Sequence, residues 1–159
     1  KEYCLASPKN TTELVTIEAM RDNDKYFSSG MFYYGDASGK SRNTASNFHN
    51  YDVVRRVLRP YLNNYSDRVP AKNPPVISRR DFINALFEGK HNVQVLIDKS
   101  CKNLIKDLEF VKEDQEGKKL KEHATDPITK QRYEKYTHTG DAMDYFLVSY
   151  FNAIFDKLY

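Results

Sequence analysis

Cysteine is almost missing: of 159 residues only Cys4 and Cys101 are thiols. They stand alone, without metal-ligand spacing or a Cys-rich framework, which excludes a disulfide scaffold and fits a reducing compartment with two small buried thiols. Glycine and proline are equally sparse at six each, against 40% apolar and 30% charged residues, so the composition is that of a globular chain and not of a disordered one. No internal repeat or low-complexity tract occurs. No apolar run approaches the length of a membrane span, and no charged-then-apolar leader opens the sequence, so no membrane partner is expected. The formal net charge of +3 is too small to demand a polyanionic partner, and any nucleic-acid argument must rest on local clustering. What remains is one domain over residues 1–159, large enough to bury a core without staples and expected to be soluble and cytoplasmic.

The stretch that organises the chain is Gly30-Met31-Phe32-Tyr33-Tyr34-Gly35-Asp36-Ala37-Ser38-Gly39. An uninterrupted apolar run reads as a strand buried on both faces, hence a central strand of a parallel or mixed sheet flanked by helices, an α/β fold. Such sheets bind ligands just beyond the carboxyl ends of their strands, where Asp36 stands. Gly35 to Ser41 also approaches a phosphate-binding loop. That loop needs four residues between its glycines, and here there are three, so the backbone N–H groups cannot wrap the same anion. Val93–Asp98 resembles the accompanying strand and magnesium-holding acid, and equally any buried strand.

Taken in order, Glu2–Ala6 reads as a short strand stopped by Pro8, and Asn10–Glu13 has capping-box spacing ahead of a helix from Thr11 to about Phe27. A polar loop, 38–47, precedes a helix over Tyr51–Leu58, whose outer face carries Arg55, Arg56 and Arg59 and which Pro60 ends. Arg68–Pro70 reads as an edge strand. Asn73-Pro74-Pro75 is a turn, and Ser78 caps a helix over Arg79–Glu88 that Gly89 closes. Asn92–Ile97 reads as a strand and Lys99–Phe110 as a helix with Leu104, Ile105 and Leu108 inward. Residues 109–122 read as a Lys- and Glu-rich hairpin or extended arm around Glu116-Gly117, 123–137 are aperiodic, and Asp141–Leu158 has apolar pairs every four residues, a helix lying on the sheet.

Two acids carry the candidate chemistry. Asp36 at a strand end and Asp141 at the start of the closing helix would face one another if that helix crosses the strand ends. Neighbouring carboxylates repel unless a cation lies between them, and magnesium or manganese is the usual one. A pair of such ions roughly 3.5–4 Å apart activates water for phosphodiester cleavage. Plainer readings stand beside this one. Asp141 with Asp144 also suits a helix cap and its dipole, Asp36 suits a turn, and His138 suits a loop or a cap, with a ligand or base role as its alternative. Arg79, Arg80, Lys99, Lys102, Lys118 and Lys119 are placed to track phosphates or simply to be solvated.

Four segments together resemble the C-terminal nuclease domain of the large terminase subunit of tailed phages, the ATP-driven motor that cuts and packages concatemeric DNA. They are Tyr34–Gly39, Asn73–Val76 with Arg80, Asn84 and Leu86, Ile97–Leu108, and His138–Tyr145. The resemblance implies a ribonuclease H-like fold, two magnesium or manganese ions in the complete site, double-stranded DNA as substrate, and other terminase subunits and the portal as partners in a bacterial host. It makes Asp36 and Asp141 catalytic metal ligands. Asp144 falls where the family more often has a basic or neutral residue, which leaves it auxiliary. The family's first metal-binding acid lies upstream of everything matched here, so the resemblance further implies a sheet incomplete at its N-terminus, in a piece of a longer subunit. Two alternatives from another class are a catalytically silent module that docks DNA or the motor and, less favoured, a nucleotide-binding domain.

Overall fold

The computed structural model describes residues 1–4, 11–41, 49–61 and 64–159. The chain is mixed α/β and divides into two compact units, residues 3–73 and residues 1–2 with 74–159. Among the described residues no helix is long and apolar enough to cross a membrane.

The first unit begins with α1, Thr12–Arg21, whose N-terminus is closed by the Thr11 hydroxyl accepting from Leu14 N at 3.2 Å. The helix stops six residues before the expected Phe27 and gives way to a 3-10 turn over Asp24–Ser29. The cause lies in Asn23, whose side-chain amide donates to Ala19 O and to the Tyr3 hydroxyl and so competes with the helical pattern. Lys1–Cys4 is irregular, so the expected first strand is not present there, and Leu5, Ala6, Pro8 and Asn10 lie outside the described residues. Cys4 is exposed, contrary to the expectation of two buried thiols; Cys101 is buried.

β1, Met31–Tyr33, follows, and α2, Asn50–Leu58, packs on α1. β2, Tyr65–Asp67, pairs with β1 in parallel, Phe32 opposite Ser66. The edge strand expected over 68–70 thus lies earlier, because Pro70 has no N–H to give a ladder. The core of this unit is Met20, Tyr33, Leu58 and Val69. Tyr33 is buried but Phe32 is 59% exposed, with the Arg68 guanidinium over its ring. The run around Asp36 is therefore a half-buried strand, in a sheet of two strands among the described residues, and not a strand covered on both faces.

In the second unit α3, Val76–Phe87, starts behind Pro75, three residues earlier than a Ser78 cap would allow. After Gly89, which takes the left-handed conformation at φ 74°, a 3-10 turn over Lys90–Asn92 takes the start of the segment expected as a strand, and the rest of it has no strand pairing among the described residues. Val93 and Val95 pack on the core while Leu96 points out at 81% exposure. The alternation is real, but no neighbouring strand completes it. α4, Lys102–Phe110, buries Asp107 rather than its leucines; Leu108 is exposed. The hairpin expected at 109–122 forms around the Glu113 and Lys119 bridge. The aperiodic stretch behind it holds a second hairpin, β3 (His123–Thr125) and β4 (Arg132–Glu134), in antiparallel register. Its periodicity was invisible because both strands are largely exposed, so neither face needed apolar residues.

α5, His138–Tyr150, and α6, Asn152–Leu158, replace the single closing helix. The backbone breaks at Phe151, φ −99° and ψ 27°, while the apolar spacing continues through the break. α5 packs on α3 and α4 rather than on a sheet, and Phe82, Ile83, Leu86, Leu147, Val148 and Phe155 form the core. Phe82 meets Phe155 edge to face at 5.3 Å.

Candidate functional site

Asp36 lies just past the carboxyl end of β1 and starts a 3-10 turn over Ala37–Lys40. Its Oδ1 accepts from Ser38 N at 2.7 Å and from the Asn73 side-chain amide at 2.6 Å, while Asn73 Oδ1 accepts from Ala37 N at 2.8 Å. The acid segment and the asparagine-proline turn, 37 residues apart in sequence, thus clasp each other. Tyr51 of α2 completes the clasp by donating its hydroxyl to Asp36 O at 2.8 Å. Lys40, the lysine of the near phosphate-binding loop, donates to Val69 O at 2.8 Å, so it belongs to the fold of this loop.

Gly35 and Gly39 make room for the Tyr51 ring. A Cβ on Gly35 would stand 2.2 Å from the Tyr51 hydroxyl, and one on Gly39 2.7 Å from its Cε2. Gly35→Ala is therefore expected to expel the hydroxyl and loosen the Asp36 turn, at a cost of about 1–2 kcal/mol in urea denaturation. Tyr51→Phe should cost about 1 kcal/mol, since it loses only the hydrogen bond. Equal stability of Gly35→Ala and the wild type would show that this packing does not hold the turn.

The second unit places Asp141 and Asp144 on the first turns of α5 and surrounds them with cations. Lys119, on the first hairpin, puts Nζ 3.0 Å from Asp141 Oδ1 and 2.7 Å from Asp144 Oδ2. Arg79 of α3 approaches from another side, Nη2 3.7 Å from Asp141 Oδ1 and Nε 3.6 Å from Asp144 Oδ2, with its guanidinium 4.5 Å over the Tyr145 ring. Asp144 is 3% exposed. Burial pushes its carboxyl above the usual carboxylate range although Lys119 and Arg79 pull it down.

One residue essential to this geometry escaped the sequence reading. Asp107 is 5% exposed, and its Oδ2 accepts from Thr139 N and Gly140 N at 2.9 Å each and from the Thr139 hydroxyl at 2.5 Å. It is the N-cap of α5, supplied by a different helix, since the Thr137 side chain makes no cap bond. The available signal was its spacing, three residues after Leu104 and four before Val111, on the face of α4 that turns inward. Glu2 does the same for α4, accepting from Asn103 N and Leu104 N.

The other named residues separate by burial. Arg79, read as a phosphate contact, is 6% exposed and spent on the acid pair, because it shares the face of α3 with Phe82, Ile83 and Leu86. Lys119 is spent likewise. Arg80 pairs with Asp81 and Glu113 and donates to Gly117 O at 2.9 Å, and Lys118 pairs with Glu116. Lys99, Lys102 and His138 are exposed. A cavity of about 440 Å³ lies beside the acid cluster, with Ile83, Phe87, Leu108 and Val111 on its apolar side and Asp107, Lys119 and Asp144 on its polar side.

Comparison with protein families, with curated proteins and with solved structures finds no match.

Asp36 and Asp141 stand in different units. Among the described residues no group of three His, Cys, Asp or Glu side chains converges as a metal site. Asp141 Oδ1, on a side chain 30% exposed, is already engaged by the Lys119 ammonium at 3.0 Å, and with Arg79 beside it the acid pair is charge-compensated by the protein itself.

Proposed function

We propose that this chain is part of a metal-dependent endonuclease that cleaves double-stranded DNA, of the kind formed by the large terminase subunit, with a ribonuclease H-like domain. The observation that carries the reading is the pairing of its four motif segments. Asp36 and Asn73, from two of them, hydrogen-bond to each other, and Asp107 caps the helix that bears Asp141, joining the other two. Segments recognised only by their order in the sequence therefore lock together within each unit. Magnesium or manganese would supply activation of water and charge stabilisation in phosphodiester hydrolysis, with Asp36 the candidate ligand in the first unit and Asp141 the candidate ligand in the second. The chain's own residues set the donors: the Ser38 N–H and the Asn73 amide fix the Asp36 carboxylate, and the Asp107 cap fixes the first turn of α5, which carries Asp141. DNA, other terminase subunits and the portal are the partners that go with this reading.

Manganese titration by calorimetry, combined with supercoiled-plasmid cleavage and a crystal structure with the metal, tests it. Metal binding is expected in the wild type, weakened about tenfold or more by Asp36→Ala and by Asp141→Ala. Affinity indifferent to both substitutions would overturn the assignment of these two ligands. The exposed Lys99 and Lys102 favour a second reading, a silent DNA-docking module, for which binding would fall steeply with salt and need no metal.

A further inference from the structure

We propose that the cavity of the second unit is a binding site for a nucleoside monophosphate unit, its base between α3 and α4 with an amino group turned inward and its phosphate at the hairpin. The site is independent of any metal at Asp36 or Asp141. The cavity, about 440 Å³, is lined only by residues of the second unit and has the size of sites that enclose small molecules. Its lining changes with depth. At the inner end Asp107, Thr137 and Asp144 are 5%, 2% and 3% exposed, and the walls are Ile83, Phe87, Leu108 and Val111. At the mouth the Lys112 and Lys118 side chains are 69% and 51% exposed. Each of these zones selects one part of a ligand.

The inner end takes a neutral hydrogen-bond donor. Lys119 and Arg79 compensate Asp144, and the N–H groups that open α5 compensate Asp107, so a metal ion or an organic cation finds no unbalanced charge there. Acceptor capacity is nevertheless left over. A carboxylate offers about four acceptor positions. The bonds to Asp107 and Asp144 all fall on Oδ2, and Oδ1 of each accepts from no described residue. A hydrocarbon ligand would strip water from those oxygens and return nothing, whereas an exocyclic amino group supplies the donor. The walls take a flat ring: Phe87, 42% exposed, offers an aromatic face on which a base stacks. The mouth supplies positive charge. Lys112 and Lys118 pair with Glu122 and Glu116 at 2.9 and 2.5 Å, but exposed pairs of this kind contribute little, so both ammonium groups are free to turn to a phosphate.

Calorimetric titration of the chain with adenosine 5′-monophosphate, adenosine and inorganic phosphate tests the site, with backbone amide NMR shifts recorded in the same buffer. The monophosphate is expected to bind, adenosine to bind about tenfold more weakly, and inorganic phosphate to give no heat at the same concentrations. The shifts should centre on Ile83, Phe87, Leu108 and Val111. Phe87→Ala, checked for fold by circular dichroism, should weaken the monophosphate about tenfold through lost stacking. Lys112→Gln combined with Lys118→Gln should bring the monophosphate down to the affinity of adenosine. Competition by a 5′-phosphorylated tetranucleotide of deoxyadenosine supports a site for a strand end, and binding of the monophosphate without such competition supports one for a free nucleotide. No binding of the monophosphate, shifts confined to other residues, or equal affinity in the wild type and Phe87→Ala overturns the site.

Discussion

Asp107→Ala is expected to cost the helical unit about 3 kcal/mol, measured by urea denaturation followed by circular dichroism. The magnitude follows from what one oxygen does. Asp107 Oδ2 satisfies two of the N–H groups that open α5 and a hydroxyl besides, in a position 5% exposed. An N-cap is worth roughly 0.5–2 kcal/mol, and a hydrogen bond to a charged group roughly 1.5–3, while the negative charge also complements the N-terminal end of the helix dipole. Alanine removes all three and leaves the Gly140 N–H buried without its acceptor. The terms overlap, which keeps the total below their sum. Asp107→Asn retains an acceptor and should lose only about half as much. A loss below about 1 kcal/mol for alanine would mean that water reaches these N–H groups and replaces the carboxylate. Because α5 carries Asp141, the same variant should also weaken metal binding, although Asp107 touches no metal in the proposed site.

That cap also marks where sequence reasoning stopped. Helices α2, α3, α4 and the start of the closing helix were legible within a few residues, because burial of Val57 and Leu58, or of Phe82, Ile83 and Leu86, forces the apolar spacing that marks a helix. Strand pairing was not legible, since it depends on a neighbour the local pattern does not contain; Val93 and Val95 alternate inward as a strand should, yet no ladder forms there among the described residues. The site divides in the same way. Asp141, Asp144, Arg79 and Lys119 were all singled out, but as a metal ligand, an auxiliary acid and two phosphate contacts. Their mutual compensation comes from three elements meeting in space. Arg79 shows why charge alone misleads. Its position one turn from Phe82 and Ile83 marks it as inward-facing, and an arginine there must find carboxylates or destabilise the core.

The second large effect follows from that arginine. Arg79→Met is expected to destabilise the helical unit by about 2–3 kcal/mol, short of the roughly 3–5 for a buried pair broken outright, because Lys119 stays 2.7 Å from Asp144. The methionine keeps much of the packing against Tyr145, so the loss reports on charge. Its pH dependence has a definite sign. Burial already holds the Asp144 carboxyl above the ordinary range, and Asp141 pushes it the same way, against Lys119 and Arg79. Removing Arg79 raises it further. A carboxyl whose folded value is raised contributes stability that is complete below its unfolded value of about 3.9 and is lost as pH rises through the folded value. The deficit of Arg79→Met relative to the wild type should accordingly be small near pH 4 and grow toward neutrality. Arg79→Met with Asp144→Asn should recover most of it, since no uncompensated buried charge remains. A deficit independent of pH, or one that deepens in acid, would mean that Arg79 stabilises α5 through its stacking on Tyr145 and not through Asp144. The double variant distinguishes the same two causes at a single pH, because stacking lost with Arg79 is not restored by neutralising Asp144.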